Sequence, residues 1–414
     1  MVLENFEENL QKYAKLLVSK GINVQKGHTV LLNIDVEQAP LARLLTKEAY
    51  ALGATEVIVK WADDIITRET YLHTPEERLT DIPSYKIDES MDLLEKKASR
   101  MSVRSSDPDA LNGVDSKKLG AIMKANSMAL KEQRIATQAN KVSWTVASAA
   151  GATWAAKVFP DLETEEEQVD ALWNEIFKTC LVYEDDPIKA WDEHEARLRS
   201  KADILNKEQF DALHYTTPEG TDLTVGMPEN HIWDSAGAVN AQGEEFIANM
   251  PTEEVFSAPD GNRIEGVVKS TKPLSYSGNI IDGMTFTFKE GKVTEVSAEQ
   301  GEEVLKHLVE ENDGARSLGE VALVPHESPI SQSGLVYFNT LWDENASNHL
   351  ALGSAYAFSI KGGTEMSQEE LAEAGLNRSN VHVDFMIGSE TMNIDGIRKD
   401  GSTMPIFRNG TWAF

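Results

Sequence analysis

Apolar positions recur at helical spacing at the start of the chain and at strand spacing toward its end. Phe6, Leu10, Tyr13 and Leu17 share one face of a predicted helix that Gly21 stops. Thr29 to Ile34 reads as a strand, and Leu41, Leu44, Leu45, Ala49 and Leu52 form one face of a second helix ended by Gly53. Glu56 to Trp61 reads as the next strand. A strand–helix–strand unit of this kind predicts a parallel, Rossmann-like sheet. Its first strand runs into Ile34-Asp35-Val36-Glu37-Gln38-Ala39-Pro40, which lacks the glycine fingerprint for a dinucleotide, so nucleotide binding is disfavoured. Further on, Arg134 to Thr137 suggests a short strand and Trp144 to Val158 a helix. Thr164 to Cys180 and Pro187 to Leu205 read as charged, amphipathic helices, the former opened by Thr164 and Glu167 as a capping box.

The texture changes near Lys207. Segments with strand character, bounded by Gly, Asp, Asn and Pro, become frequent: Thr221 to Val225, Arg263 to Val268, Gly283 to Phe288 and Lys292 to Val296. Lys289-Glu290-Gly291-Lys292 is a hairpin turn signal. The expectation is an α/β N-terminal domain over residues 1–207. An α+β C-terminal domain, mainly antiparallel sheet, follows over residues 208–414.

The most informative strand is Val381 to Ile387. Val381, Val383, Phe385 and Ile387 point one way, while His382, Asp384 and Met386 point the other. An imidazole and a carboxylate on one strand face, inside an apolar run, are costly to bury unless paired or liganded. Asp343 to Tyr356 reads as a capped helix on which His349 and Tyr356, seven residues apart, share a face lined by small residues. Two carboxylates stand out by context: Glu253, after Pro251 and before Val255-Phe256, and Glu320, at the start of an apolar strand. Glu254 competes with Glu253, and spacing does not separate them.

Composition narrows the partners. The 414 residues carry 39 basic against 68 acidic side chains, a net charge of −29. Nucleic acid and anionic membranes want a basic surface, so neither is expected as a partner. Such a field keeps a protein soluble and favours cationic groups such as the amino end of a peptide. Cys180 is the sole cysteine, which rules out an intrachain disulfide and a thiolate metal cluster and suits a reducing cytoplasm. The opening segment lacks the basic and apolar regions of a signal peptide. The uncharged runs Val142 to Ala156, Ser328 to Trp342 and Asn345 to Ile360 fall short of the roughly 20 apolar residues of a spanning helix.

Four separated segments then fall into one pattern. Met250-Pro251-Thr252-Glu253-Glu254-Val255-Phe256, Gly319-Glu320, Glu344-Asn345-Ala346-Ser347-Asn348-His349-Leu350-Ala351 and Asn380-Val381-His382-Val383-Asp384-Phe385-Met386-Ile387-Gly388 resemble the metal-site motifs of the thermophilic metallo-aminopeptidases, a family that includes aminopeptidase T, aminopeptidase S and PepS. The resemblance runs over the whole chain and is strongest to the aminopeptidase S and PepS branch. It implies two neighbouring divalent ions held by Glu253, Glu320, His349, His382 and Asp384, with Tyr356 as the active-site tyrosine. It also implies a homodimer with an enclosed interior and, as substrates, peptides with a free N-terminus.

The donor types agree with that resemblance. Carboxylates and imidazoles suit Zn²⁺, Co²⁺ or Mn²⁺ better than Ca²⁺. Ions about 3.5–4 Å apart can activate a water and clamp the carbonyl oxygen. Glu320 can move the proton of that water to the leaving amine, and Tyr356 can hydrogen-bond the oxyanion. A metal-dependent phosphoesterase uses similar ligands but wants cationic side chains near the phosphate, and the motif segments contain none. A non-catalytic metal- or partner-binding protein would close its ligand shell. No serine elbow, P-loop or His-Glu-x-x-His helix is present in the sequence.

Overall fold

In the computed structural model, which describes residues 3–105, 107–276 and 279–414, the opening helix forms over Phe6–Leu16. Residues 1 and 2 of the opening segment lie outside the described residues. By contacts the chain divides into two units, Met1–His194 with Gly237–Pro251 and Glu195–Ala236 with Thr252–Phe414.

The first unit holds a five-stranded parallel sheet in the order Glu56–Ala62, Thr29–Asp35, Ser99–Arg104, Trp144–Ser148, Asn249–Met250. Val30, Leu31, Leu32 and Ile34 are all buried, as expected of a parallel strand covered on both faces. Helix Ala39–Ala51 buries Leu41, Ala42, Leu45 and Ala49, while Leu52, past its end, is exposed. Helix Glu165–Thr179 begins with the predicted capping box. The Glu167 N–H donates to Thr164 Oγ1 at 3.2 Å, and the Thr164 N–H donates to Glu167 Oε2 at 3.3 Å.

Two expectations for this unit fail for local reasons. Arg134 to Thr137 is not a strand but lies within the helix Lys131–Gln138, where Lys131, Glu132 and Gln133 supply helix propensity that one β-branched pair does not overcome. Trp144 to Val158 is not one helix. Trp144–Ser148 joins the parallel sheet, and only Ala152–Val158, after Gly151, is helical. An aromatic and β-branched start was the strand signal in that apolar run.

The second unit is antiparallel. Its larger sheet has eight strands in the order Lys292–Ser297, Thr285–Lys289, Ile264–Lys269, Asp222–Gly226, Ala212–Thr216, Asn393–Ile397, Thr403–Arg408, Thr411–Trp412. The hairpin forms where the turn signal stood: Lys289 pairs with Lys292, and Glu290 and Gly291 take φ of 49° and 77°. Two successive positive φ values match the right-handed twist of the flanking strands.

A separate four-stranded antiparallel sheet runs in the order Val255–Ser257, Leu318–Leu323, His349–Gly353, His382–Met386. Here the sequence reading is corrected. Asp343 to Tyr356 is not one capped helix: the helix is limited to Thr340–Glu344, and His349–Gly353 is a strand. Lying between two strands, it makes both hydrogen-bond ladders and buries Leu350 and Leu352 completely or nearly so. Those long-range gains outweigh the local capping signal. Gly353 ends the strand at φ +110°, and a Cβ there would meet the Val381 carbonyl oxygen at 2.1 Å, so only glycine fits. Among the described residues no helix is long and apolar enough to cross a membrane.

Candidate functional site

Strand register decides which side chains meet. Across the four-stranded sheet Phe256 pairs with Ala322, Ala322 with His349, and His349 with Met386. Glu320 pairs with Ala351, Ala351 with Asp384, and Gly353 with His382. Paired residues project to the same face and neighbours along a strand alternate. Glu320, His349, His382 and Asp384 therefore rise from one face, and Glu254, two residues before Phe256, joins them. Ala322, Ala351 and Gly353 on this face are small and leave room for the polar groups. The opposite face carries Val255, Val321, Leu323, Leu350, Leu352, Val383 and Phe385, all buried. An apolar core on one side thus fixes the position of charged groups on the other.

The polar groups are close and dry. His349 Nε2 lies 3.2 Å from Glu254 Oε2 and 3.5 Å from Glu320 Oε1. His382 Nε2 lies 3.6 Å from Glu320 Oε2 and 3.5 Å from Asp384 Oδ1. Glu254, Glu320, Glu344, His349 and Asp384 are buried, and His382 is half-buried. Three donor sets form, in each of which the ligand atoms lie within 4.8 Å of one another: Glu254, Glu320 and His349; Glu320, His382 and Asp384; Glu344, His349 and Asp384.

The ring orientations are set from behind. His349 Nδ1 donates to the Ser347 carbonyl at 3.1 Å, and His382 Nδ1 donates to the Ser354 carbonyl at 2.7 Å. A carbonyl only accepts, so each Nδ1 carries a proton and each ring turns its Nε2 toward the carboxylates. With the Nε2 protons off, as metal ligation requires, lone pairs face lone pairs. His349 Nε2 and Asp384 Oδ1 are buried and make no hydrogen bond. Such orphaned acceptors are expensive unless a cation stands among them. A divalent ion with a taste for nitrogen and oxygen fits the set.

Proton affinities record the same crowding. Burial raises Glu320, with Asp384 and Glu254 adding to it against the pull of the two imidazoles. Burial and the charges of Asp384 and Glu254 push Glu344 well above the usual carboxylate range. Burial alone would depress both histidines, but the facing carboxylates prevail: His349 is raised well above its ordinary value and His382 is pushed up to about 9. Asp384 goes down, because the imidazolium of His382 outweighs the effect of burial.

The structure brings together Glu320, His349, His382 and Asp384 of the sequence-predicted set. Glu253 belongs to none of the three donor sets. Its backbone N–H donates to Asn345 Oδ1 at 2.7 Å, and burial raises its carboxyl to about 7 against the pull of Arg197. The adjacent Glu254 stands in the donor set with Glu320 and His349 instead. Tyr356 does not share a helix face with His349; it lies past the strand end, with its ring 5.0 Å from that of His382. Sequence reasoning did not single out Glu344. Its signal was its place in the Glu344-Asn345-Ala346-Ser347-Asn348-His349 segment. The connection there is rigid, because Asn345 Nδ2 donates to the Leu341 carbonyl at 2.8 Å and Asp343 accepts from the N–H groups of Tyr337 and Asn339 at 2.8 and 3.1 Å.

The thermophilic metalloprotease (M29) family pattern matches residues 6–412. The chain is 66% identical over 413 residues to aminopeptidase PepS of Streptococcus thermophilus, spanning the full length of both. It is 52% identical over 412 residues to aminopeptidase AmpS of Bacillus subtilis, again spanning both. The solved structure of wild-type AmpT from Thermus thermophilus is similar throughout, with a TM-score of 0.91 at 41% identity, over 99% of this chain and 100% of that one.

A cation seated among these donors must stabilise the fold, since it binds the assembled sheet and not the unfolded chain. At about a thousand times its dissociation constant the gain is about 4 kcal/mol. Added Zn²⁺, Co²⁺ or Mn²⁺ is expected to raise the thermal unfolding midpoint of the wild type. Glu254→Gln should lose most of that rise and Glu253→Gln should keep most of it. The reverse order would return the ligand role to Glu253.

Proposed function

The chain belongs to the thermophilic metalloprotease (M29) family, and from that premise we propose that it is a metallo-aminopeptidase working through a centre of two divalent ions. One observation carries the two-ion reading: Glu320 is common to the set with Glu254 and His349 and to the set with His382 and Asp384. A carboxylate has two oxygens, and those of Glu320 approach different histidines, Oε1 toward His349 and Oε2 toward His382. Glu320 would therefore offer one oxygen to each ion. We assign Glu254, Glu320, His349, His382 and Asp384 as ligands, with Glu254 in the place first given to Glu253.

Zn²⁺, Co²⁺ or Mn²⁺ held there would polarise the scissile carbonyl and bring the pKa of water toward neutrality. The chain's own groups do the rest. A carboxylate of the cluster not engaged by the ions takes the proton of the attacking water and passes it to the leaving amine. Tyr356 stays protonated, because burial and then the charges of Glu320, Asp384, Glu344 and Glu254 hold its phenol well above the ordinary value. A phenol kept neutral beside the reacting carbonyl donates to the oxyanion. The acidic chain favours a substrate that arrives by its ammonium end.

A homodimer and a cytoplasmic setting belong to the same proposal. The first is supported by the family likeness, the second by a single cysteine that is buried and free. The phosphoesterase reading is not favoured: among the described residues, the ion pairs of the donor sets are made by His349 and His382 alone.

The reading is tested with one short peptide and its N-acetylated twin, products being read by mass spectrometry. The free peptide should lose its first residue and the acetylated one should resist, with the loss mainly in kcat/KM. Comparable cleavage of both, or internal cuts, would reject an aminopeptidase. Tyr356→Phe should keep its metal content and lose about 10²–10³-fold in turnover. Wild-type turnover in that variant would make Tyr356 a packing residue.

A further inference from the structure

The ligand-bearing face ends in a row of aromatic rings that ion binding leaves unexplained. Phe256 follows Glu254 by two residues and pairs with Ala322, so its side chain leaves the sheet on the side of the donor sets. Tyr356 and Phe358 come from the turn after His349–Gly353. The rings of Tyr356 and Phe358 are stacked, with centroids 5.1 Å apart and planes 14° apart. Phe256 meets both edge-on, at 6.4 Å and 6.2 Å. All three rings are half-buried and keep accessible surface.

The turn is held from its other side. Ala355 and Ala357 pack on a small core of Ala258, Ile360, Leu371 and Leu376. Gly363 closes against it so tightly that a Cβ would lie 2.0 Å from the Ala357 carbonyl oxygen. The Ile232 N–H donates to the Ser359 carbonyl at 2.8 Å, and the Lys361 N–H donates to the Asn230 carbonyl at 3.0 Å. With the alanines turned inward, the alternate residues Tyr356 and Phe358 are presented rigidly toward Phe256 and His382.

We infer that Phe256, Tyr356 and Phe358 form the subsite for the side chain of the substrate's first residue, and that it selects flat or branched apolar side chains. This rests on the aminopeptidase reading above. The wall starts at Tyr356, whose ring lies 5.0 Å from that of the ligand His382. The carbonyl under attack must lie beside that ligand, and the side chain nearest to it branches from the Cα that carries the amine. The side chain of the second residue starts one peptide unit further away, about 3.8 Å along the chain. Aromatic faces and edges reward a second ring or a branched aliphatic group, and a methyl group gains little from them. A rigid wall discriminates because the substrate and not the enzyme must adapt.

Two tripeptide series, X-Ala-Ala and Ala-X-Ala with X as Phe, Leu or Ala, are compared by kcat/KM in the wild type and in Phe358→Ala, Phe358→Leu and Phe256→Leu. The wild type should prefer Phe and Leu over Ala at the first position. In Phe358→Ala the Phe-to-Ala ratio there should fall ~10-fold or more, while the ratio in the Ala-X-Ala series holds. If Phe358→Ala does not fold, Phe358→Leu and Phe256→Leu read the same ratio with smaller changes in volume. A first-position ratio that stays constant while all substrates slow equally overturns the inference, because the rings are then only packing. A shift confined to the Ala-X-Ala series overturns it too and moves the wall to the second residue. A wild type that releases no first residue from any peptide overturns the aminopeptidase reading, and this inference with it.

Discussion

Three carboxylates and two imidazoles crowd one sheet face, with Glu344 reaching them from a short helix, and the structure has to accommodate their repulsion. Two like charges about 4 Å apart repel by about 4 kcal/mol at an effective dielectric of ~20. Several such pairs rival the entire stability of an ordinary domain, about 5–15 kcal/mol. Protons relieve part of it, as the raised affinities of Glu320, Glu344, His349 and His382 record. His349 Nε2 and Asp384 Oδ1 remain buried without a hydrogen-bond partner. Divalent cations would answer both problems at once, by neutralising charge and by accepting the lone pairs.

The four-stranded sheet can hold such a cluster because its other face is a continuous apolar layer. Leu350, Val321 and Phe385 sit behind His349, Glu320 and Asp384, each completely or almost completely buried. The histidines are fixed again at Nδ1 by the Ser347 and Ser354 carbonyls. Side chains held from the backbone side and from the ring side have little freedom to move apart. The same rigidity extends to the aromatic turn at Tyr356 and Phe358, where it serves recognition of the substrate.

Legibility in the sequence followed the range of the forces involved. The strand carrying His382 and Asp384 was readable because alternation is local and the buried residues lie between the polar ones. The parallel unit and the Lys289–Lys292 hairpin were readable for the same reason. His349 was misplaced on a helix because Asp343 and Asn345 are good caps, while the ladders that make His349–Gly353 a strand come from residues 318–323 and 382–386. Glu253 and Glu254 are neighbours, so one step of alternation exchanges them, and only the pairing of Phe256 with Ala322 sets the phase. Glu344 went unremarked because it reaches the cluster from a short helix held in place by hydrogen bonds that no periodicity announces. The family resemblance supplied the order of the motifs, and the register supplied the atoms.

The central claim is that Glu320 joins two ion sites into one centre, and ion stoichiometry tests it most directly. Metal-free wild-type chain and Glu320→Gln are titrated with Zn²⁺ by calorimetry, and the ions bound per chain are counted. The account predicts two ions per wild-type chain and a loss of affinity at both sites in the variant, because each site shares that carboxylate. One ion per wild-type chain, or a variant in which one of two sites keeps its full affinity, would contradict it.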